Sequence, residues 1–436
     1  MKYDLVLEGG GAKGMAFAGA YDEFVQRGHT IGRLLGTSAG AIAAALLAAG
    51  YTPDELLRAM QEKQDGKSVF ATFLAEPLPF TKQEILNSDV RQFLRGVNIT
   101  CIPDFLEEKI DDSLTEVLAK REFFHHLFAL VERGGWFSAE PFVAWLSRKL
   151  DAGSFDGHKR DFSRTTLRQF FEGTGVELSV VASDTSDGKL LVLNHWTSPD
   201  CPLVRAIRMS MSIPLLWDEV VWDPTWGSYI HAEIKGHAIV DGGLLSNFPL
   251  ELFVSDEPQV TALMGQKHEN PVMGWLIDES LPVVKPGGER GGLVDMDVKL
   301  DELRIIRRLQ SLVNTATSAH DKMVLDAYQD CVVRLPAEGY GTTEFDMSDG
   351  RRTALLENAR RAVADYFDRH RAHVRTGKTR SRAISGPADR IAMQLLGLQR
   401  VPTGPQGAQK ASAAARRTAR SRRLTGKRPR RQRPTR

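Results

Sequence analysis

The sequence predicts an α/β fold in which helices flank a mostly parallel central sheet. Two observations carry this prediction. First, residues 3–50 alternate strand, helix, strand and helix, since apolar runs at Tyr3–Leu7 and Ile31–Leu35 each lead through a glycine-rich turn into a helical segment. Second, the chain has 436 residues, of which 42% are hydrophobic, and this is enough to bury the large core that a layered fold requires.

The later segments continue the pattern. A mainly helical stretch follows from about Pro53 to Leu150, and strands return after it. The predicted helices are Glu55–Gln61, Lys82–Arg95, Pro141–Leu150, Cys201–Ser212, Leu303–Ala327 and Arg351–Arg371, and the predicted strands are Val176–Ala182, Leu190–Asn194 and Ile239–Asp241.

The formal net charge of +2 conceals two regions of opposite sign. Residues 371–436 hold 19 Lys and Arg and one acid, Asp389, while residues 1–370 hold 38 basic and 54 acidic side chains. Few large apolar residues follow Arg375, and such a composition cannot bury a core. The sequence therefore predicts a folded domain over 1–370 and a basic, largely disordered tail over 371–436.

Three uses of the tail remain open at this point. Basic residues are attracted to an anionic membrane surface, and arginine-rich segments also bind the phosphates of nucleic acid. The third reading is a solvated tail that balances the acidic domain. The tail has few aromatic residues, so base stacking has no support.

The cysteines and the N-terminus indicate the compartment. Cys101, Cys201 and Cys331 lack the spacing of a disulfide framework or a zinc site, which favours a reducing environment. The N-terminus lacks the layout of a signal peptide, and no apolar run reaches the ~18 residues of a membrane span. We expect a cytoplasmic protein, with peripheral membrane association left open.

A Gly-x-Ser-x-Gly run marks the first candidate for chemistry. Gly36-Thr37-Ser38-Ala39-Gly40 lies between a short strand and an alanine-rich helix. A serine on such a sharp turn exposes its oxygen, and the flanking glycines let the backbone pass close to its neighbours. Ser38 is therefore predicted to be a nucleophile on a nucleophile elbow, with Gly36 and Gly40 as the elbow glycines.

A second glycine run precedes Ser38 by one strand–helix unit. Its backbone N–H groups are predicted to bind an oxyanion. A dinucleotide fingerprint also fits the letters, but no acid ends the second strand, and Met15 follows where a P-loop would have Lys. The predicted oxyanion loop comprises Gly9, Gly10, Gly11, Ala12, Lys13 and Gly14.

A serine nucleophile needs a base. The chain has 11 histidines, none in a context that marks it as the base, so a Ser/Asp/His triad remains possible. Asp241 ends an apolar strand and is followed at once by Gly242 and Gly243, which would present its carboxylate at the edge of the sheet. Most such Asp-Gly pairs are only turns.

Together these segments resemble the patatin-like phospholipases. The motifs that carry the resemblance are Glu8–Gly14, where the family more often has Arg than Lys13, then Gly36–Gly40, Ala206–Pro214, and Asp241-Gly242-Gly243 followed by Asn247 and Pro249. The order and spacing agree from about residue 3 to residue 370.

The resemblance implies a three-layer fold and a lipid acyl hydrolase that needs no metal or cofactor. It implies a dyad in which Ser38 attacks the acyl carbonyl and Asp241 takes its proton, while the N–H groups of Gly10, Gly11 and Ala12 hold the oxyanion. The implied substrate is a membrane phospholipid or lysophospholipid. Lys13 would hold the loop or meet a phosphate, and a surface lysine with no role is the alternative. Aromatic residues such as Phe70 and Phe73 would form the core or line an acyl channel.

Two rival functions stay open. One is an α/β-hydrolase esterase with a histidine base, for which His320 is a candidate. The other is an effector or toxin phospholipase that a ligand activates, as in antiviral defence that responds to cyclic nucleotides. The sequence predicts no oligomeric state.

Overall fold

A computed structural model describes residues 1–96, 122–284, 328–375 and 385–398. The main sheet contains eight strands, and these are β1 (Lys2–Leu7), β2 (Thr30–Thr37), β3 (Leu178–Asp184), β4 (Lys189–Leu193), β5 (Val220–Val221), β6 (Ala238–Asp241), β7 (Val272–Asp278) and β8 (Val332–Pro336). Hydrogen-bonded pairs link the strands in the path β5–β6–β3–β2–β1–β7–β8. Strand β4 pairs with β3 along the edge opposite to the one that β2 and β6 share. Strands β3, β2, β1, β7 and β8 pair in parallel.

The described helices surround this sheet. They are α1 (Ala16–Gln26), α2 (Ala39–Ala48), α3 (Pro53–Met60), α4 (Lys82–Asn87), α5 (Asp89–Gly96), α6 (Glu122–Arg133), α7 (Glu140–Asp151), α8 (Leu167–Thr174), α9 (Leu203–Met211), α10 (Glu251–Val254), α11 (Pro258–Met264), α12 (Asp349–Arg375) and α13 (Ser385–Leu395). Among the described residues, no helix is both long and apolar enough to cross a membrane.

The larger core lies on one face of the sheet. Because side chains alternate along a strand, Leu5 and Leu7 of β1 point together into this core, where they join apolar residues of α1, α2 and α12. All ten residues of α2 are buried. A helix that is apolar on every side is stable only inside a protein, so α2 belongs to the centre of the domain.

A second, thinner layer covers the opposite face. Met273 and Trp275 of β7 belong to the larger core, so Gly274 between them faces the opposite side of the sheet. A Cβ placed on Gly274 would lie 2.3 Å from a ring atom of Phe248. Phe248 leads into α10, whose neighbours are α11 and α13. The α/β class and the mostly parallel sheet are thus confirmed, with helices on both faces.

One predicted helix is divided in two. The sequence predicts a single helix over Lys82–Arg95, whereas Ser88 has an extended backbone that separates α4 from α5. The Ser88 hydroxyl donates to the carbonyl of Ile85 and accepts the N–H of Arg91, so it closes one helix and caps the next. The predicted helix Leu303–Ala327 lies outside the described residues.

The basic segment contains a helix that packs on the domain. The predicted boundary at residue 370 falls inside α12, and α13 lies beyond it. Ala388, Ala392 and Met393 are buried. The carboxylate of Asp389 accepts hydrogen bonds from the Ser255 hydroxyl and the Asp256 N–H, both at 2.8 Å. Residues 399–436 lie outside the described residues.

Helix α13 is expected to contribute to the stability of the domain. A chain ending at Leu398 keeps this helix, while a chain ending at Arg375 loses it and exposes the apolar surface beneath. We expect the shorter chain to be less stable by about 2–4 kcal/mol, from the burial of three apolar side chains. Urea unfolding of both chains measures this difference, and equal unfolding free energies would contradict it.

Candidate active site

Ser38 sits on the turn between β2 and α2. Its backbone has φ 52° and ψ −119°, a left-handed conformation that is costly for a residue with a side chain. Such a turn presents the serine at the end of the strand and at the positive end of the following helix. The sharp strand-to-helix turn predicted from the motif is thus the conformation that the structure shows.

The elbow glycines allow backbones to approach one another. A Cβ on Gly40 would lie 2.2 Å from the carbonyl oxygen of Leu7, and one on Gly36 would lie 2.4 Å from the carbonyl oxygen of Gly40. Neither distance is possible for a real side chain, so both positions require glycine. This close packing brings the end of β1 beside the first turn of α2.

The register of β3 brings Asp241 to Ser38. Val180 and Val181 of β3 pair with β2 and with β4, whereas Ala182–Asp184 pair with β6 and with β4. Strands β2 and β6 therefore lie one after the other along the same edge of β3 and run toward each other. Thr37 pairs with Val181, and Asp241 pairs with the next residue, Ala182.

The Asp241 carboxylate is buried beside the Ser38 hydroxyl. Burial raises the pKa of Asp241 to about 7, and the nearby Ser38 hydroxyl and the Gly243 N–H oppose this rise. Oδ1 accepts the Gly243 N–H at 2.7 Å. Oδ2 has no hydrogen-bond partner within the described part of the chain. Ser38 and Asp241 are therefore close but lack a hydrogen bond of standard geometry, which is common in enzymes without substrate.

Two N–H groups of the glycine loop are left available. Gly9 donates its N–H to the Asn247 carbonyl at 3.1 Å, and Ala12 donates to the Thr342 carbonyl at 2.8 Å. Among the described residues, the N–H groups of Gly10 and Gly11 have no acceptor. Gly11 has φ 53°, and a Cβ there would lie 2.2 Å from the Thr342 oxygen, so this position requires glycine.

A polar network holds the loop in place. The Glu8 carboxylate accepts the N–H of Ile277 at 2.5 Å and a side-chain N–H of Asn247 at 3.1 Å. The same Asn247 amide donates to the Gly9 carbonyl at 2.9 Å. The buried Lys13 ammonium forms an ion pair with the exposed Glu279. Of the two roles considered for Lys13, this pairing supports holding the loop.

The loop stands close to the serine. A Cβ on Gly9 would lie 3.2 Å from Cβ of Ser38, and one on Gly14 would lie 2.7 Å from Cβ of Ala39. A small cavity of about 30 Å³ lies beside them, lined by Gly11, Ala12, Gly14, Met15, Ala39, Ile42, Met60 and Phe70. Every lining residue is apolar or glycine. Phe70 thus lines a cavity next to the serine, while Phe73 packs in the core.

Among the described residues, no histidine nitrogen is hydrogen-bonded to the Ser38 hydroxyl. His320 lies outside them.

Within the described part of the chain, one group of side chains could hold a metal ion, and it does not include Ser38 or Asp241. Ligand atoms of Asp184, Asp187 and His237 lie within 4.8 Å of one another. His237 sits just before β6, whereas Asp241 ends it. Asp184 already pairs with His237 at 2.7 Å and accepts the N–H groups of Ser186 and Asp187. These contacts explain the cluster as a structural link between strands.

Sequence reasoning missed several residues that support the site. Ser210 accepts the N–H of Ser38, and Thr342 and Glu279 hold the glycine loop. No local signal marks Thr342 or Glu279, because each is distant in sequence from the residue it contacts. Glu8, Ser210 and Asn247 lie inside recognised motifs, and their roles could have been suspected there.

Comparison with known proteins identifies the family of this chain. The family model described as patatin-like phospholipase matches residues 5–254, more than half of the chain. The chain therefore belongs to the patatin-like phospholipase family, and it is a lipid acyl hydrolase.

Particular relatives extend the comparison. The uncharacterized protein YqhO of Bacillus subtilis is 26% identical over 368 residues, which cover 83% of this chain and 96% of that protein. A probable lipid hydrolase, 463L, of Invertebrate iridescent virus 6 is 23% identical over 253 residues, or 57% of this chain and 62% of that protein.

Two bacterial structures show weaker similarity. VipD from Legionella pneumophila has 17% identity and a TM-score of 0.43, with 84% of this chain and 67% of VipD covered. ExoU from Pseudomonas aeruginosa has 18% identity and a TM-score of 0.34, with 84% of this chain and 52% of ExoU covered. Both TM-scores lie below 0.5, and the family assignment rests on the sequence match.

The raised pKa of Asp241 predicts a stability effect of Asp241→Asn. The pKa of Asp241 is about 7 in the folded state, and its ordinary value is 3.8. Between these two pH values the folded protein keeps a proton on Asp241 that the unfolded chain has lost. Its stability therefore falls as the pH rises through about 7, whereas the amide has no such dependence.

We expect the stability of Asp241→Asn relative to the wild type to increase between pH 5 and pH 8 by about 2–3 kcal/mol, at about 1.4 kcal/mol per pKa unit. Urea unfolding at the two pH values measures this change. A relative stability that does not vary with pH would show that the carboxyl titrates normally.

Proposed function

We propose that this protein hydrolyses fatty-acyl esters of glycerophospholipids, in the manner of a phospholipase A or lysophospholipase, through a Ser38–Asp241 dyad. One observation carries the proposal: β2 and β6 end against adjacent residues of β3 and bring a strained serine to a buried carboxyl. The carboxyl has a pKa of about 7, which suits a general base near neutral pH.

Acylation begins when the Ser38 hydroxyl attacks the acyl carbonyl carbon as Asp241 takes the hydroxyl proton. The carbonyl oxygen becomes an oxyanion, which accepts hydrogen bonds from the N–H groups of Gly10 and Gly11. Each such donor is worth about 3 kcal/mol in the transition state. The positive end of α2 adds to this stabilisation. Ala12 is not assigned as a donor, because its N–H is bound to Thr342.

The tetrahedral intermediate then collapses. The bond to the alcohol oxygen breaks, and protonated Asp241 returns its proton to that oxygen, so the lyso-product leaves as a neutral alcohol. Asp241 next takes a proton from water, whose oxygen attacks the acyl-serine ester. Collapse of this second intermediate returns the proton to the Ser38 oxygen and releases the fatty acid.

The apolar cavity supports a fatty-acyl substrate. Gly11 and Ala39 line it beside the proposed reaction centre, and Met60 and Phe70 complete its apolar lining. Apolar atoms of an acyl group that enter it gain about 25 cal/mol per Å² of surface buried. A polar acyl group would lose its hydration in this cavity and gain no hydrogen bond from its lining side chains.

Ser38→Ala is expected to abolish fatty-acid release from phospholipid vesicles, since no other group supplies the nucleophile. Release is measured by lipid mass spectrometry, and thermal unfolding controls for folding. Wild-type release by Ser38→Ala would contradict the mechanism. Activity that survives Asp241→Asn but is lost in His320→Ala would instead support the esterase with a histidine base.

The dyad predicts the pH dependence of hydrolysis. Asp241 accepts a proton only when it is ionised, so kcat/KM is expected to rise with pH and level off above about 7, following the pKa of this carboxyl in the free enzyme. Initial rates on a soluble lysophospholipid between pH 5 and pH 9 measure the profile. A profile that is flat from pH 5 to pH 8 would contradict the assignment of Asp241 as base.

We further propose that the basic tail draws the enzyme to anionic membranes. Residues 399–436 contain 13 Lys and Arg and no acid, and each cation near an anionic surface contributes about 1 kcal/mol. A chain ending at Leu398 should lose binding to phosphatidylglycerol vesicles and keep its kcat on a soluble lysophospholipid. Unchanged vesicle binding, or binding of the full chain to DNA in preference to vesicles, would contradict this role.

A further inference from the structure

One short segment touches the backbone of both proposed dyad residues. The N–H of Ser38 donates to the hydroxyl oxygen of Ser210 at 3.0 Å, and the N–H of Asp241 donates to the carbonyl of Ser212 at 2.8 Å. Ser210 lies near the end of α9, and Ser212 follows that helix. Both serines are fully buried.

The contact at Ser38 compensates for an unfavourable conformation. Ser38 is 6% exposed and has a positive φ, so its N–H has little access to water and lies on a strained turn. A buried N–H without an acceptor costs about 1–3 kcal/mol. Its acceptor here is a side chain, and a single substitution can therefore remove it without altering the backbone of β2 or α2.

The segment itself is held at its far side by Arg208. The buried guanidinium donates to the Ser212 hydroxyl, to the Asp218 carbonyl at 2.6 Å and to the Asp218 carboxylate at 2.7 Å. The Ser212 hydroxyl donates to the Arg208 carbonyl at 2.5 Å. The Arg208 guanidinium, the Asp218 carboxylate and the Ser212 hydroxyl thus fix the turn that follows α9.

We propose that the segment Ser210–Ser212 sets the distance between Ser38 and Asp241, and that Ser210 is the positioning residue for the nucleophile. This inference rests on the proposed dyad mechanism. Ser210 acts through the backbone of Ser38: it holds the elbow so that the Ser38 oxygen faces Asp241 Oδ2, the carboxylate oxygen that has no partner in the described residues.

Loss of this positioning is expected to lower the rate of the chemical step and to leave substrate binding unaffected. A misplacement of about 1 Å in a reacting group costs about 100-fold in rate. The residues that line the acyl cavity do not include Ser210. Removal of the Ser210 hydroxyl is therefore expected to lower kcat and to leave KM within about twofold of the wild type.

Three substitutions test the role of the hydroxyl oxygen. Ser210→Ala removes the acceptor, Ser210→Cys keeps the volume with a weak acceptor, and Ser210→Thr keeps the hydroxyl. We expect kcat on a soluble lysophospholipid to fall about 10- to 100-fold in the Ala and Cys variants and to be partly rescued in the Thr variant. Ser198→Ala is the matched control, because Ser198 is equally buried but its hydroxyl contacts only its own loop.

The outcomes separate this inference from the proposed function. If Ser38→Ala retains activity, the dyad mechanism fails. If Ser38→Ala is inactive while Ser210→Ala and Ser210→Cys keep wild-type kcat, or lose it only as far as Ser198→Ala does, the positioning role fails alone. A rise in KM at unchanged kcat would also overturn it. Thermal unfolding of each variant shows whether a lower kcat follows from loss of folded protein.

Discussion

The active site depends on the way two strands share one edge of β3. Strands β2 and β6 approach each other along this edge, and their last residues pair with Val181 and Ala182. Strand ends that meet in this way bring two side chains together from segments about 200 residues apart in the chain. The remaining features of the site, which are the strained elbow, the buried carboxyl and the glycine loop, have their function only because of this meeting point.

Three features of the candidate site cost free energy in the folded protein. Ser38 adopts a costly backbone conformation. Among the described residues, one oxygen of the buried Asp241 has no hydrogen-bond partner, and the N–H groups of Gly10 and Gly11 have no acceptor. In the proposed mechanism, the Asp241 oxygen and the two N–H groups gain hydrogen-bond partners when an acyl ester reacts. The surrounding structure offsets the cost through the buried α2 and the hydrogen bonds of Glu8 and Asn247.

The chemistry-bearing residues were predictable because their constraints are local. Gly40 must be glycine since the carbonyl of Leu7 lies against it, and Gly11 must be glycine since its φ is positive and Thr342 is close. Constraints of this kind leave short motifs, which is why the elbow and the glycine loop can be recognised in one sequence. The α/β class follows in the same way from the alternation of strands and helices.

Other features could not be predicted because they arise from contacts between distant segments. The approach of β2 to β6 along β3 has no local pattern, and neither do the contacts of Ser210 with Ser38 or of Glu279 with Lys13. The break at Ser88 escaped prediction because serine in a helix and serine at a cap look alike without their hydrogen bonds. Helix α13 lies in a strongly basic segment, where composition outweighed the apolar spacing of Ala388, Ala392 and Met393.

The role of Asp241 as the base of Ser38 is tested by the rate at which an alkyl fluorophosphonate labels Ser38. Labelling needs the nucleophile and its base but no deacylation, and mass spectrometry of the labelled peptide identifies the residue. The account predicts that the labelling rate rises with pH through about 7, as the pKa of Asp241 requires. In Asp241→Asn the rate should fall strongly and lose this pH dependence. Equal labelling rates in the wild type and Asp241→Asn would contradict the account.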